Sequence, residues 1–94
     1  MLTIRYTTTF KKDLKRIKKQ ADSGYDEAEF RYVLGELQNG RALEEKYHDH
    51  ALVGNYKGVR ECHLKPDLLL LYEINESVLE LLLFRIGSHS EVFR

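Results

Sequence analysis

The uninterrupted apolar run from Leu68 to Tyr72 is the feature that most constrains how this chain folds. With Ile74 added after Glu73, the run has the pattern of a β-strand that is covered on both faces. A strand with one solvent-exposed face would instead alternate apolar and polar residues. The run is far too short to cross a bilayer as a helix. The sequence therefore predicts a central buried strand with other elements packed around it.

Two further strands are predicted on either side of this run in the sequence. Residues 59–64 form a strand candidate, which Lys65-Pro66-Asp67 joins to the apolar run through a turn whose bend is fixed by proline. Asn75-Glu76 has the composition of a hairpin turn, and residues 78–86 form the last strand candidate. The second half of the chain therefore predicts an antiparallel meander of three strands.

The first forty residues predict a strand followed by two helices. Residues 2–7 alternate β-prone side chains, whereas the period changes to that of a helix from Thr9 onward. The first helix carries its apolar residues on one stripe: Phe10, Leu14, Ile17 and Ala21. Ser23-Gly24 interrupts it, and Asp26 with Glu29 resembles a capping box at the start of the second helix. That helix carries a second stripe and ends at Asn39-Gly40: Phe30, Val33, Leu34 and Leu37.

These elements predict an α+β fold in which two N-terminal helices pack on a twisted, mainly antiparallel sheet of four strands. Residues 41–57 are expected to form a long ordered loop, and residues 87–94 a polar tail. A chain of 94 residues supports one core, so residues 1–94 are expected to form a single domain. One face of the sheet is left open to build a site.

The charge balance is neutral overall but uneven along the chain. Fifteen basic and fifteen acidic residues cancel, yet residues 1–20 carry seven basic side chains against the single acid Asp13. The first helix thus presents a basic face that suits phosphates or an acidic partner, although such faces are commonly just solvated. Cys62 is the only cysteine, so no internal disulfide forms and a reducing compartment is expected. We expect a cytoplasmic protein that does not use a membrane.

All four histidines lie in the second half of the chain: His48, His50, His63 and His89. In the strand of residues 59–64, a period of two places His63 with Glu61 on one face and Cys62 on the opposite face, toward the core. Arg85 ends the last strand, four residues before His89. A guanidinium and several imidazoles are therefore expected to converge at one end of the sheet.

This combination of side chains suits RNA cleavage. The reaction needs a base for the ribose 2′-hydroxyl, an acid for the departing 5′-oxygen and a cation for the anionic phosphorane between them. Histidine serves both proton transfers near neutral pH, and the planar fork of arginine matches a phosphate. An aromatic side chain such as Phe93 can stack on an unpaired base.

Each of these residues also has a purely structural interpretation. His63 can be a surface residue and Arg85 a salt-bridge partner. Asp67 can be a turn residue, and Phe93 can fill the core. The histidines also offer enough ligands for zinc, but their spacing matches no established metal motif. No glycine-rich phosphate loop or dinucleotide fingerprint is present, so neither a metal nor another cofactor is expected.

The second half of the chain resembles the YafQ family of the RelE/ParE toxin superfamily. The resemblance is carried by His48-Asp49-His50, by Gly54 with Tyr56-Lys57-Gly58, and by Arg60-Glu61-Cys62-His63. It continues through Lys65-Pro66-Asp67 and through the C-terminal Arg85-Ile86-Gly87-Ser88-His89 and Phe93. The strand, helix, helix beginning fits the same RelE-like fold. One departure is Leu68, where a tryptophan of the family is replaced, which argues against base stacking at this position.

The resemblance implies a type II toxin, a ribosome-dependent endoribonuclease that cuts messenger RNA and is neutralised by a cognate antitoxin. It also implies that the toxin–antitoxin complex binds operator DNA through the antitoxin. By position it implies that His50 and His89 share the proton transfers, and that His63 and Asp67 orient substrate or partner groups. Arg85 would stabilise the anion. Phe93 and Lys65 would bind substrate.

Two other functions fit the same fold. A ParE-like toxin poisons DNA gyrase by protein contact and needs none of the histidines. A non-enzymatic RNA-binding module would act through the basic first helix. Replacement of His50 or His89 separates these alternatives, because only the nuclease depends on them.

Overall fold

A mixed sheet of five strands forms the centre of the molecule, which is a computed structural model that describes residues 1–93. The strands are β1 (Thr3–Tyr6), β2 (His50–Ala51), β3 (Arg60–Lys65), β4 (Leu68–Asn75) and β5 (Glu80–Gly87). The helices are α1 (Thr8–Lys19), α2 (Glu27–Gln38) and α3 (His89–Val92). The strand order is β1-β5-β4-β3-β2, with β1 parallel to β5 and the other pairs antiparallel. The predicted α+β class and the β3–β4–β5 meander are confirmed.

Strand β4 is the buried centre of this sheet, as its composition predicts. Leu70 and Tyr72 face the helices, whereas Leu69 and Leu71 face the opposite side, and all four are buried. Both faces are covered because a second, smaller apolar cluster lies on the side away from the helices. We call the helix-side cluster the inner cluster and the opposite one the outer cluster.

The two long helices pack their apolar stripes onto the inner cluster. Thr7 caps α1 by accepting a hydrogen bond from the backbone N–H of Phe10, and Asp26 caps α2 by accepting from Ala28 and Glu29. Ala21 lies beyond the end of α1 and is exposed, so the predicted stripe is one residue too long. The outer cluster is smaller and lies under the segments that surround it: Val59, Leu69, Leu71 and Val92, with Leu52, Phe84 and Phe93 at its margin.

Three segments differ from the sequence prediction. The expected loop of residues 41–57 contains two 3-10 turns, Glu45–Tyr47 and Gly54–Tyr56, and the short strand β2, which makes the fifth strand of the sheet. The expected polar tail contains α3. The last strand begins at Glu80 because Val78 and Leu79 belong to a wider turn and are exposed.

The free edge of β5 is closed by side chains where β1 ends. Strand β1 pairs with β5 only as far as Tyr6, opposite Leu83. Beyond that point the Thr7 hydroxyl donates to the Phe84 carbonyl at 2.8 Å. The backbone N–H of Ile86 donates to the carboxylate of Asp13 at 3.2 Å. These contacts satisfy backbone groups that a longer β1 would otherwise pair.

None of the helices within residues 1–93 is long and apolar enough to span a membrane.

Candidate active site

The four histidines form one patch on the face of the sheet away from the helices. The ring of His63 lies at its centre, with ring centroids 5.8 Å from His48, 6.3 Å from His50 and 5.8 Å from His89. The predicted convergence of His50, His63 and His89 is therefore what the structure shows. His48, which the sequence analysis left without a role, belongs to the same patch.

Separate elements bring these rings together. His63 is on β3, paired with Leu69, so it faces outward above the outer cluster as strand parity predicts. His50 is on β2, directly opposite Glu61 of β3. His89 is the first residue of α3. The segments that carry these rings are short and separate in sequence. The pairing of β2 with β3 and the placement of α3 bring the rings together.

A partly buried hydrogen-bond network anchors the segment that carries His48 and His50. The Asp49 carboxylate between them accepts hydrogen bonds from the Tyr72 hydroxyl and, at 3.2 Å, from Arg60. Burial, followed by the hydrogen bond to Asp49, raises the pKa of Tyr72, so the hydroxyl stays protonated and donates. The two histidines are thereby held at fixed distances from the sheet.

Glu61 is the functional candidate that the sequence analysis did not nominate. Its side chain is only 5% exposed, and Oε1 lies 3.0 Å from Nε2 of His63 and 3.5 Å from Nε2 of His50. A buried carboxylate within reach of two imidazoles orients both rings. The signal was present in the strand parity, which places Glu61 on the face of His63.

Asp67 holds the fourth histidine. Its Oδ1 accepts from the backbone N–H of His89 at 3.0 Å and lies 3.2 Å from the ring Nδ1. The hydrogen bond from the His89 backbone, followed by that from its ring, lowers the pKa of Asp67. Ser88 and Glu91 add a capping box at the start of α3. The turn after β3 therefore fixes the position of His89.

Aromatic rings continue the patch beyond His89. The ring centroid of Phe93 lies 6.0 Å from that of His89 and 5.2 Å from that of Tyr56, which it meets edge to face. Phe93 also packs against the outer cluster. Tyr56 was not among the predicted site residues, although it lies in the Gly54 to Gly58 motif. The two rings offer an aromatic surface beside the imidazoles.

Arg85 lies next to this surface, but two of its three guanidinium nitrogens already donate hydrogen bonds within the protein. Its Nε and Nη2 donate to Asp13 at 2.7 and 3.2 Å, and Nη2 also donates to the carbonyl of Glu91 in α3 at 3.2 Å. The Asp13 hydrogen bond raises the pKa of Arg85 further above its ordinary value. The salt bridge considered as a plainer interpretation is thus present. A quarter of the side chain stays exposed.

Comparison with known proteins shows which family the chain belongs to. The family model for the bacterial toxin of type II toxin–antitoxin systems, YafQ, matches residues 2–94. The chain belongs to the YafQ family.

Three relatives illustrate the match. The mRNA interferase toxin YafQ of Escherichia coli K12 is 32% identical over 91 residues, which cover 96% of this chain and 94% of the relative. A metal-bound toxin from Helicobacter pylori superposes with a TM-score of 0.90 at 47% identity, covering 99% of this chain and all of that chain. The E. coli DinJ-YafQ complex contains a chain with a TM-score of 0.85 at 30% identity, covering all of both chains. The predicted family and RelE-like fold are confirmed.

Lys65 of this YafQ-family toxin forms an ion pair with α2. Its ammonium pairs with Glu29 of that helix at 3.1 Å, and its stem covers Gly24. Lys65 also lines a cleft of about 760 Å³ that is bordered by His48, His50 and His63. The residue predicted to contact substrate thus shares a cleft with three of the histidines, and Glu29 already compensates its charge.

The structure also describes the residues of two other chemistries, a cysteine nucleophile and a metal site, in this YafQ-family toxin. Cys62 faces the inner cluster and is buried, and burial raises the pKa of its thiol far above the usual range, so a thiolate nucleophile is disfavoured. Among residues 1–93, no group of three or more histidine, cysteine, aspartate or glutamate side chains is arranged to hold a metal ion.

Proposed function

We propose that this toxin is an endoribonuclease that cleaves messenger RNA by general acid–base attack of the ribose 2′-hydroxyl on the phosphodiester. The observation that carries the proposal is the histidine patch, in which His50 and His89 both contact His63 and two of the rings share the buried Glu61. Such a patch supplies a base and an acid within reach of one phosphate. The name of the E. coli relative, an mRNA interferase toxin, supports the same activity.

Each side chain has a role in this scheme. His50 and His89 share the two proton transfers, and His63 and Asp67 orient the rings and the substrate. Arg85 donates to the developing negative charge through the nitrogen that Asp13 leaves free. Phe93 stacks on an unpaired base beside the scissile bond, with Tyr56 supporting its ring.

The partners follow from the family. The E. coli relative forms the DinJ-YafQ complex, and we propose a cognate antitoxin for this chain as well. We also propose that the toxin acts on messenger RNA in ribosomes of the cytoplasm, with the basic face of α1 contacting RNA phosphates. The toxin–antitoxin complex would bind operator DNA through the antitoxin.

Replacement of the two proton-transfer residues tests the proposal. His50→Ala and His89→Ala should each reduce messenger cleavage by about 100- to 10,000-fold, the range typical of general acid–base groups. Primer extension on a defined messenger, with and without translating ribosomes, measures the cuts and shows whether they follow the reading frame. Tyr32→Phe, which removes an exposed hydrogen bond from α2 to Glu44, is the control and should cleave as the wild type does.

Growth arrest measured in parallel separates the alternatives. If both histidine variants stop cleaving and stop arresting growth while staying folded, the nuclease is responsible for toxicity. If they still arrest growth, the toxin acts by protein contact or RNA binding, and the proposed nuclease mechanism is wrong.

A further inference from the structure

Asp13 is a buried charge in an unexpected place. It is the only acid of α1, a helix that otherwise carries lysine and arginine on its polar side, yet it lies on the apolar stripe and is 2% exposed. Burying a carboxylate costs several kcal/mol unless hydrogen bonds and opposite charge compensate it. An apolar residue would serve packing alone equally well. The contacts of Asp13 therefore need an explanation.

Those contacts converge on one end of β5. The carboxylate accepts from Nε and Nη2 of Arg85, from the backbone N–H of Ile86, and from Nη1 of Arg16 at 3.1 Å. Two donors come from one guanidinium in the planar, two-pronged geometry that fixes the orientation of both groups. Arg85 is 72 residues away in sequence. Asp13 thus ties α1 to the strand that leads into α3.

The pairing leaves Arg85 one free nitrogen. Nε and Nη2 are bonded to Asp13, and Nη2 is shared with the carbonyl of Glu91. Among residues 1–93, no hydrogen-bond acceptor for Nη1 is present, and Nη1 is not among the buried nitrogen and oxygen atoms that lack a partner. Nη1 therefore keeps access to solvent, while the bonds of Nε and Nη2 hold the guanidinium in place.

The same carboxylate steadies the backbone before His89. Ile86 N–H is held by Asp13, and Gly87 and Ser88 then lead directly into α3. Arg16, which also pairs with Asp13, lies 3.2 Å from Glu91 in that helix. Asp13 thus contacts the end of β5 directly, and it reaches α3 through Arg16 and Arg85, which both contact Glu91.

We propose that Asp13 is a positioning residue for RNA cleavage, which fixes the guanidinium of Arg85 so that Nη1 alone is presented to the scissile phosphate. The inference rests on the proposed endoribonuclease function. An arginine whose charge is already compensated adds little to the binding of an anion in the ground state. Its oriented donor instead stabilises the charge that develops on the phosphorane, so Asp13 should affect the rate of cleavage more than the affinity for RNA.

The test compares four variants in single-turnover cleavage of a labelled messenger on translating ribosomes: Asp13→Asn, Asp13→Glu, Arg85→Ala and the double variant Asp13→Asn with Arg85→Ala. Asp13→Asn should slow cleavage by roughly 10- to 100-fold, with the half-saturating toxin concentration changed by less than about threefold. Asp13→Glu, which keeps the charge, should recover part of the rate. The double variant should be no slower than Arg85→Ala, because Asp13 acts through Arg85.

A denaturant titration of each variant gives the folded fraction, by which the rates are corrected. Glu36→Gln removes the ion pair between Glu36 of α2 and the exposed Arg41 after that helix, and it is the control, expected to cleave at the wild-type rate. If Asp13→Asn cleaves normally once corrected, or if its effect multiplies with that of Arg85→Ala, Asp13 is only a structural residue and the inference is wrong. A wild-type chain that cleaves no messenger overturns the proposed function instead, and the inference falls with it.

Discussion

At the scale of single residues, Glu61 contacts two of the four rings of the histidine patch. Its carboxylate is nearly inaccessible to solvent and lies within 3.5 Å of ring nitrogens of both His50 and His63. The other ring nitrogens face carbonyls: Nδ1 of His50 lies 2.6 Å from His48 O, and Nδ1 of His63 lies 3.4 Å from Pro66 O. The two rings thus have oxygen partners at both nitrogens. Removal of one partner frees the rings to rotate.

We therefore predict that Glu61→Gln slows messenger cleavage by about 10- to 100-fold, the usual effect of losing a group that orients a functional histidine. The amide keeps the size of the side chain but loses its charge and half of its accepting capacity. Glu73→Gln is a matched control on the neighbouring strand β4, because the structure places Glu73 in no ion pair among residues 1–93. Equal cleavage by the Glu61 and Glu73 variants would show that the carboxylate does not serve the site.

At the scale of elements, Gly87 lies at the junction of β5 and α3, where charged side chains pack close to the backbone. A Cβ built on Gly87 would lie 2.9 Å from Glu91 Oε1 and 3.1 Å from Arg16 Nη2. Both atoms belong to charged groups that hold α3 against α1. Glycine is favoured here because a Cβ would displace these side chains and because its φ of +157° is one that other residues rarely adopt.

Gly87→Ala should consequently lower the free energy of unfolding by about 1–3 kcal/mol, as overpacking commonly does. Gly35→Ala provides the opposite case: Gly35 lies inside α2 with nothing within 4 Å of an added Cβ. That change should stabilise the protein by about 0.5–1 kcal/mol, since alanine is the better helix former. Urea denaturation followed by circular dichroism measures both. A neutral Gly87→Ala would mean that Glu91 and Arg16 move aside without cost.

The elements that the sequence predicted are those long enough to show a period. Both long helices and the β3–β4–β5 meander follow from apolar stripes and alternation. Strand β2 has two residues and α3 has four, so neither can show a period. Strand β2 forms because His50 and Ala51 pair with β3. The start of α3 is marked in the sequence by the capping box of Ser88 and Glu91. The helix is too short to be recognised within a polar segment.

At the scale of the whole molecule, the histidine patch could be predicted from the sequence, but the residues that hold its side chains in place could not. Strand parity and the family motif indicated His50, His63 and His89 without a structure. The partners of these groups depend on tertiary contacts: Asp13 meets Arg85 across 72 residues, and β2 brings His50 to Glu61. Local patterns carry no information on such pairs. The phosphate role proposed for Arg85 thus involves a partner, Asp13, that no local pattern indicates.

Asp13 also gives the whole fold a specific response to acid. Burial alone would raise the pKa of this carboxyl, but hydrogen bonds from Arg85, Ile86 and Arg16 outweigh burial and lower the pKa below its usual value. The unfolded chain therefore binds the proton more tightly than the folded protein does. The stabilisation is fully present above the unfolded pKa of about 3.9 and is lost as the pH falls through the lower, folded pKa.

Asp13→Asn should accordingly be less stable than the wild type near neutral pH, and the gap between the two should narrow as the pH is lowered from about 5 to 2. Urea unfolding curves at a series of pH values measure this difference. Asp67 and Glu91, whose pKa values are also lowered, remain in both proteins, so their contributions cancel in the comparison. Parallel curves over this range would mean that protonation of Asp13 is not coupled to unfolding, and that its ion pair with Arg85 contributes nothing to acid stability.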